Sequence, residues 1–229
     1  MAYFLINKIH MLKTTGKIFF SALVAFTLTL TGYFFVLNPE AVSADTSTSS
    51  SIVVTLNVTA GISITSPSNI TMSQTLGVTA NTAVGTSTWN VKTNDVSGYN
   101  LTLKASTAPA MQNASSSVAD YAIGAPTPWS VVNSAKFGFS AYGTDVNPGT
   151  WGTVGAANCS AVGTAHVPSG TLNYLGFTTS TSSPVVATRA ATTTTSGVDT
   201  TVCFAVEQNN VYIPSGTYTA TITATAVTL

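Results

Sequence analysis

Charged side chains are nearly missing from this sequence. Only 6% of its 229 residues are Asp, Glu, Lys or Arg, and the seven basic residues balance the seven acidic ones. The chain has no basic cluster that would neutralise phosphates, which argues against nucleic acid as a partner. It also lacks a basic amphipathic helix pattern, which argues against binding along a membrane surface.

Residue types that carry chemistry are equally scarce. His166 is the only histidine after residue 44, and no Gly-x-Ser-x-Gly motif surrounds a serine. Metal sites need clustered His, Cys or carboxylate ligands, and the sequence offers no such cluster. We therefore predict no enzyme, no metal site and no cofactor, with His166 as an ordinary loop residue. A hydrolase with an unrecognised site is the weaker alternative.

The N-terminal segment has the composition of an export signal. Three lysines precede an apolar stretch at 18–37, and the small residues Val42-Ser43-Ala44 follow Pro39. This order predicts that residues 1–44 are a signal peptide, cleaved before Asp45. The protein is then secreted or held at the cell surface.

Two features of this segment keep alternatives open. The apolar stretch at 18–37 exceeds the ~7–15 residues of a typical signal core. An uncleaved N-terminal membrane anchor is therefore the alternative to cleavage. Either Met1 or Met11 serves as the start, because the signal pattern is complete without the first ten residues.

The two cysteines, Cys159 and Cys203, both lie in the part predicted to be exported. Disulfides form in extracytoplasmic compartments, so we predict that these cysteines are bonded to each other. Closing the loop between them stabilises a fold by about 4 kcal/mol on the chain-entropy model.

Strand patterns dominate after a Ser/Thr linker at 45–51. Apolar and polar residues alternate with the period of two that is typical of strands with one buried face, and no helical period follows the signal. The segments predicted as strands are 52–58, 62–64, 86–93, 99–104, 137–141, 172–178, 185–189, 201–206 and 217–228.

This pattern predicts an all-β fold for residues 52–229. We expect a single antiparallel β-sandwich of immunoglobulin-like or Greek-key type, with about seven to ten strands and antiparallel pairing throughout. Long loops are expected near 106–134 and 143–170. The last strand, 217–228, is expected inside the sandwich with its threonines facing outward.

Two short motifs carry a family resemblance. Gly98–Leu103 reads Gly-Tyr-Asn-Leu-Thr-Leu, and Ser215–Thr223 reads Ser-Gly-Thr-Tyr-Thr-Ala-Thr-Ile-Thr. Together, over about 30 residues, they resemble WxL-type cell-surface domains of secreted bacterial proteins. That family has Trp-x-Leu at both places, whereas this chain has Tyr99-Asn100-Leu101 and Ala224-Thr225-Ala226. The resemblance implies a β-sandwich at the cell surface, and because of these departures no statement about peptidoglycan binding is carried over from the family.

The expected function follows from export without catalytic groups. We predict a non-catalytic structural or adhesive protein of the cell surface or extracellular space, with other surface-protein subunits as partners. The alternative is a carbohydrate-binding module for cell-wall or host glycans, in which loop rings stack on sugars; the rings otherwise pack against the core. The candidate stacking residues are Tyr121, Trp129, Tyr142, Trp151 and Tyr174. Five Asn-x-Ser/Thr triplets, at Asn57, Asn69, Asn100, Asn113 and Asn158, are glycosylation sites only in a host with the enzyme.

Overall fold

The computed structural model describes residues 21–28, 50–153, 159, 168, 171–177 and 184–229. The chain forms two compact units, Met1–Leu56 and Asn57–Leu229. In the first unit residues 21–28 are helical. None of the helices within the described ranges has the length and apolar character that crossing a membrane requires. The cleavage site at 42–44 and His166 lie outside the described residues.

The second unit is all-β, as the sequence predicts, and the described residues contain eleven strands. They are β1 (Ile62–Thr65), β2 (Thr82–Thr93), β3 (Tyr99–Ala105), β4 (Met111–Gln112), β5 (Ser117–Asp120), β6 (Thr127–Pro128), β7 (Ser134–Gly143), β8 (Asn173–Tyr174), β9 (Val185–Arg189), β10 (Val198–Asn209) and β11 (Ile222–Thr228). A four-residue helix, Pro148–Trp151, follows β7 and is capped by the Asn147 side chain.

Two sheets make up most of this unit. The large sheet has the strand order β1-β2-β10-β7-β5-β4, and the small sheet has the order β11-β3-β9. Strands β6 and β8 form a separate pair. The prediction of antiparallel pairing throughout is wrong at one place, because β5 runs parallel to β7. Residues 121–133 form the crossover of about a dozen residues that a parallel pair requires.

The main core lies between the large and small sheets. Alternate residues of β10, Val202, Phe204 and Val206, pack in one cluster with Leu101 and Leu103 of β3. These side chains are buried because each sheet covers the apolar face of the other. In β2, β3 and β7 the period of two seen in the sequence separates a buried face from the rest. Its buried residues include Trp89, Val91, Tyr99, Phe137, Phe139 and Ala141.

The outer face of the large sheet is covered as well. Cys203 and Ala205, on the opposite side of β10 from Phe204, are buried in a second cluster with Val84, Tyr121 and residues of the connecting loops. Strand β10 is thus buried on both faces, which explains why both of its alternating rows are apolar. A central strand covered on two sides has no solvated face to mark with polar residues.

The strand predicted at 52–58 is absent, and this prediction is wrong. No residue from 52 to 58 belongs to a strand, and all are exposed. Strand β1 begins at Ile62, which is paired with Thr93, the last residue of β2. The chain then turns at 94–98, so β2 provides no partner for residues that precede Ile62. Alternation gives a strand only where a neighbouring strand supplies hydrogen bonds.

The C-terminal strand belongs to the small sheet of the sandwich, as expected, and lies at the edge of that sheet. Strand β11 pairs with β3 on one side only. Its threonines at 217–225 are exposed as predicted, while Ile222, Ala224 and Ala226 are only half-buried against the core. An edge strand has a neighbour on one flank, so its inward side chains are less completely covered than those of a central strand.

Candidate functional site

Two charged residues, Asp145 and Arg189, form a network with the hydroxyl of Tyr99. Tyr99 and Arg189 are paired across β3 and β9. The Arg189 Nη1 lies 3.1 Å from Oδ1 of Asp145, whose side chain is only 7% exposed. The Tyr99 hydroxyl donates to the other carboxylate oxygen of Asp145 at 2.8 Å. Both oxygens of the carboxylate therefore have partners, and one negative charge offsets one positive charge.

Two backbone features hold this network in place. The Thr188 amide donates to the Asp145 carbonyl at 2.9 Å, which joins the loop after β7 to β9. Gly98 has φ +84°, and a side chain there would collide with the backbone of Arg189. Glycine adopts this conformation without strain. Because it has no side chain, the turn before Tyr99 can lie close against the end of β9.

The electrostatics of the network favour the neutral phenol. Burial raises the pKa of Tyr99 well above its ordinary value, and the hydrogen bond to Asp145 raises it further because the bond stabilises the protonated form. A phenol in this state donates a hydrogen bond and does not act as a base near neutral pH. The arrangement holds β3, β9 and the loop after β7 together.

An open groove of about 650 Å³ runs beside this network. Its walls are residues 144–148, 150–151 and 185–188, and Asp145 is the only charged residue among them. Trp151, one of the predicted stacking residues, lines the groove but is only 2% exposed. Its ring packs against Phe139 with the centroids 5.4 Å apart. The groove therefore has neither a free charge nor an exposed ring face.

Three of the predicted stacking residues lie together on the outer face of the large sheet. The ring of Tyr121 stacks on Trp129 with the centroids 4.5 Å apart, and Trp129 meets Tyr174 edge-on at 4.9 Å. Tyr121 and Tyr174 are buried, whereas Trp129 is half-buried. The Trp129 indole N–H donates to Glu207 at 2.5 Å. This cluster covers β10 and presents little ring surface to solvent.

The fifth candidate, Tyr142, lies half-buried beside the same cluster. Burial raises the pKa of its hydroxyl. The structure thus brings Tyr121, Trp129, Tyr142 and Tyr174 to one face of the sheet and places Trp151 in the other core. Contacts with neighbouring side chains account for the position of each ring.

The predicted disulfide between Cys159 and Cys203 is present, with the Cα atoms 5.7 Å apart. The Tyr174 hydroxyl lies 3.2 Å from the Cys203 sulfur. Cys203 is on β10, so the bond attaches Cys159, which follows the Pro148–Trp151 helix in the chain, to a central strand of the large sheet. Among the described residues, no group of three or more His, Cys, Asp or Glu side chains is placed to hold a metal ion.

Strand β11 pairs with β3 on one side, and no strand among the described residues pairs with its other side, which is called the free edge here. Ser106 donates to the Thr221 carbonyl, and the Leu229 amide donates to the Gly98 carbonyl. The odd-numbered residues of this segment therefore point their backbone groups at β3. In an antiparallel pair the intervening residues point theirs the other way. The outward-pointing backbone groups belong to Ile222, Ala224, Ala226 and Thr228.

Sequence reasoning missed both the Tyr99–Asp145–Arg189 network and the free edge. One signal for the network was available: Arg189 is the only arginine in the chain, in a body with few charges. Such a residue is expected to have a carboxylate partner. No comparable signal identifies an edge strand, because the sequence of one strand does not show which strands lie beside it in the sheet.

The chain was compared with protein-family models, with curated proteins and with solved structures. None of the three comparisons finds a match for this chain.

Proposed function

We propose that this protein is an exported, non-catalytic structural component of the cell surface that associates through sheet edges. The observation that carries the proposal is the free edge of β11. This strand spans seven residues without a charge, a proline or a bulge. Natural proteins usually block exposed edges with such features, because an unblocked edge pairs with other strands.

Export is supported by independent features. The order of basic, apolar and small residues in 1–44 is that of an export signal. The Cys159–Cys203 disulfide is compatible with an extracytoplasmic location. The exposed threonines at 217–225 give this surface hydroxyl groups in place of charged groups.

The charged groups described above support a structural role. Asp145 and Arg189 neutralise each other, and Glu207 accepts from Trp129. The raised pKa of Tyr99 keeps its proton in place at neutral pH. Each of these groups contributes to the contacts between strands and loops, which is the use expected in a scaffold.

Fractionation of cells that express the full chain tests the proposal. We expect the protein in the surface or extracellular fraction, in particles larger than a monomer by size-exclusion chromatography with light scattering. The matched control carries Leu23→Asp and Leu28→Asp, which interrupt the apolar stretch at 18–37 and should keep the protein in the cytoplasm. A protein that is exported but monomeric at all concentrations, or that is not exported, would contradict the proposal.

A further inference from the structure

We propose that residues 52–58 of one copy, here called the donor segment, add as a strand to the free edge of β11 in a second copy. This inference rests on the proposed function and identifies the segment that would join the subunits. Addition of a strand to an exposed sheet edge is a recurrent way for an extended peptide to bind, because the backbone bonds supply affinity and alternate side chains supply specificity.

The donor segment has the alternating sequence that is typical of a strand, but it pairs with no other strand. Ile52, Val54, Leu56 and Val58 occupy alternate positions, and their exposed fractions are 71–83%. Isolated exposed apolar residues are ordinary on protein surfaces, but four in one alternating row form a continuous apolar face. Such a face is stable in water only when another element covers it.

The β11 edge matches the segment in length and charge. Strand β11 and the donor segment are both seven residues long, and neither contains a charged residue. Ile222, Ala224, Ala226 and Thr228 point their amide and carbonyl groups away from β3, so they are positioned to bond an added strand. No strand among the described residues pairs with β11 on that side.

The side chains of the two segments are complementary in size. The inward row of β11 is Ile222, Ala224 and Ala226, and it packs only half-buried against the main core. Two alanines leave space beside them that branched side chains can fill. The row from Ile52 to Val58 supplies four large apolar side chains at the same spacing. Large residues beside small ones give the close packing of a protein interior.

The outward-facing residues of the donor segment and of β11 are also compatible in polarity. When Val54 and Leu56 face the core, Thr55 and Asn57 face outward beside Thr223 and Thr225, which are exposed. Neighbouring threonines on one sheet face form favourable cross-strand pairs. The outer face of the extended sheet then continues the threonine row without burying a charge.

Within one copy the donor segment belongs to no strand and all of its residues are exposed, so the partner strand that we propose comes from a second copy. The Asn94 side chain donates to the Thr59 carbonyl at 2.8 Å and accepts from the Gly61 amide at 2.6 Å. These bonds hold the backbone between the donor segment and β1 against the turn that follows β2.

An interface of this kind is heterologous, because each copy contributes a different surface to its neighbour. Every copy has one donor segment and one free edge, so association continues from subunit to subunit. The product is an open chain if the rotation between subunits does not close, and a ring if it does. Either product suits a structural component of the cell surface.

Two adjacent valines provide a matched test. Both Val53 and Val54 are exposed, so replacing either should leave the fold of one copy intact. Val54→Asp places a charge in the row that would face the core, whereas Val53→Asp places it in the outward row. In the full chain we expect Val54→Asp to abolish all species larger than a monomer and Val53→Asp to retain them. Equal assembly of the two variants would overturn the inference.

A second variant blocks the edge. Ala224→Pro removes an outward-pointing amide, and an edge strand tolerates proline where its N–H faces solvent. Alone, this variant should be monomeric. Mixed with Val54→Asp, which retains a free edge, it should form a one-to-one dimer and nothing larger, because only one junction is available. The dimer also shows that Ala224→Pro has folded and presents a working donor segment. Failure to form the dimer would contradict the inference.

Hydrogen exchange followed by NMR locates the junction in the same mixture. In the Val54→Asp monomer the amides of Ile222, Ala224 and Ala226 should exchange quickly, while those of Thr223 and Thr225 are protected by β3. In the dimer all five should be protected. Unmodified protein that assembles without this protection would overturn the inference and leave the proposed function standing. Unmodified protein that stays monomeric would overturn both.

Discussion

The two edge strands of the small sheet, β9 and β11, differ in charge and in regularity. On one side, β9 carries a bulge opposite Leu101 and Thr102 and ends at Arg189, which is paired with Asp145. On the other side, β11 is regular, uncharged and only half-buried. The small sheet therefore has one closed edge, at β9, and one open edge, at β11. Charge and irregularity close the first, and nothing of the kind closes the second.

The two edges are also held by different forces. Val186 and Ala187 of β9 are buried in the main core, and the Tyr99–Asp145–Arg189 network adds two hydrogen bonds to the Asp145 carboxylate. Strand β11 has its bonds to β3 and a half-buried apolar row. We therefore expect changes at the β9 side to alter the stability of one copy. Changes at the outward groups of β11 should alter association more than stability.

The largest effect is expected from removing the charge at the centre of the β9 network. Asp145→Ala leaves Arg189 and the Tyr99 hydroxyl without their partner in a partly buried place. The free energy of unfolding should fall by about 3 kcal/mol, measured by urea unfolding. The control is Asp199→Ala, which removes an exposed carboxylate bonded to Asn90 at 2.7 Å and should cost under about 1 kcal/mol. Equal losses would show that the network does not anchor β9.

Truncating one apolar side chain on each edge compares the two directly. Val186→Ala on β9 should cost about 2 kcal/mol, because the side chain is fully buried. Ile222→Ala on β11 removes more carbon but should cost only about 1 kcal/mol in a monomer, because the side chain is half-buried. Full burial, as expected from the sequence, would have implied about 2–5 kcal/mol. A larger loss at Ile222 than at Val186, in urea unfolding of monomers, would reverse the comparison.

Removing a single hydroxyl tests the β9 network more gently. Tyr99→Phe keeps the ring in the core and deletes the bond to Asp145, while Arg189 still neutralises the carboxylate. The free energy of unfolding should fall by about 1 kcal/mol. Tyr218→Phe is the control, since the Tyr218 hydroxyl donates to the Pro214 carbonyl in an exposed position before β11. No difference between the two variants would contradict a special role for the Tyr99 hydroxyl.

The smallest effect is a dependence on alkaline pH. The pKa of Tyr99 is raised in the folded state, so the native protein retains a proton that the unfolded chain loses near pH 10. The contribution of Tyr99 is therefore complete below that pH and declines as the pH rises above it. Tyr99→Phe should flatten this decline in unfolding experiments between about pH 9 and 11. An unchanged slope would assign the decline to other groups.

Residues with the same pattern have different fates in this molecule. Tyr99, Leu101 and Leu103 alternate like Val54, Leu56 and Val58, yet the first set is buried and the second is exposed. The alternation predicts the β-conformation of 99–105 correctly and predicts that of 52–58 wrongly. The difference is the neighbour: β3 lies between β9 and β11, whereas β2 ends before it can pair with residues that precede Ile62.

The candidate sites show the same division. The residue types of Asp145, Arg189 and Tyr99 are visible in the sequence, but β3, β9 and the loop after β7 bring them together from positions up to 90 residues apart. The loop aromatics are also visible in the sequence. Their burial is decided by the outer face of the large sheet, which needs a cover over β10.

The sequence by itself determined the all-β class, the Cys159–Cys203 pair and the inward rows of the long strands. These follow from local periodicity and from the number of cysteines, which need no knowledge of distant contacts. The tertiary structure alone decided the parallel β5–β7 pair, the second buried face of β10 and the position of β11 at an open edge. Strand order depends on which segments meet after the chain has folded. The hydrogen bonds between strands are made by backbone groups that nearly all residue types share, so the sequence of one strand does not identify its neighbour.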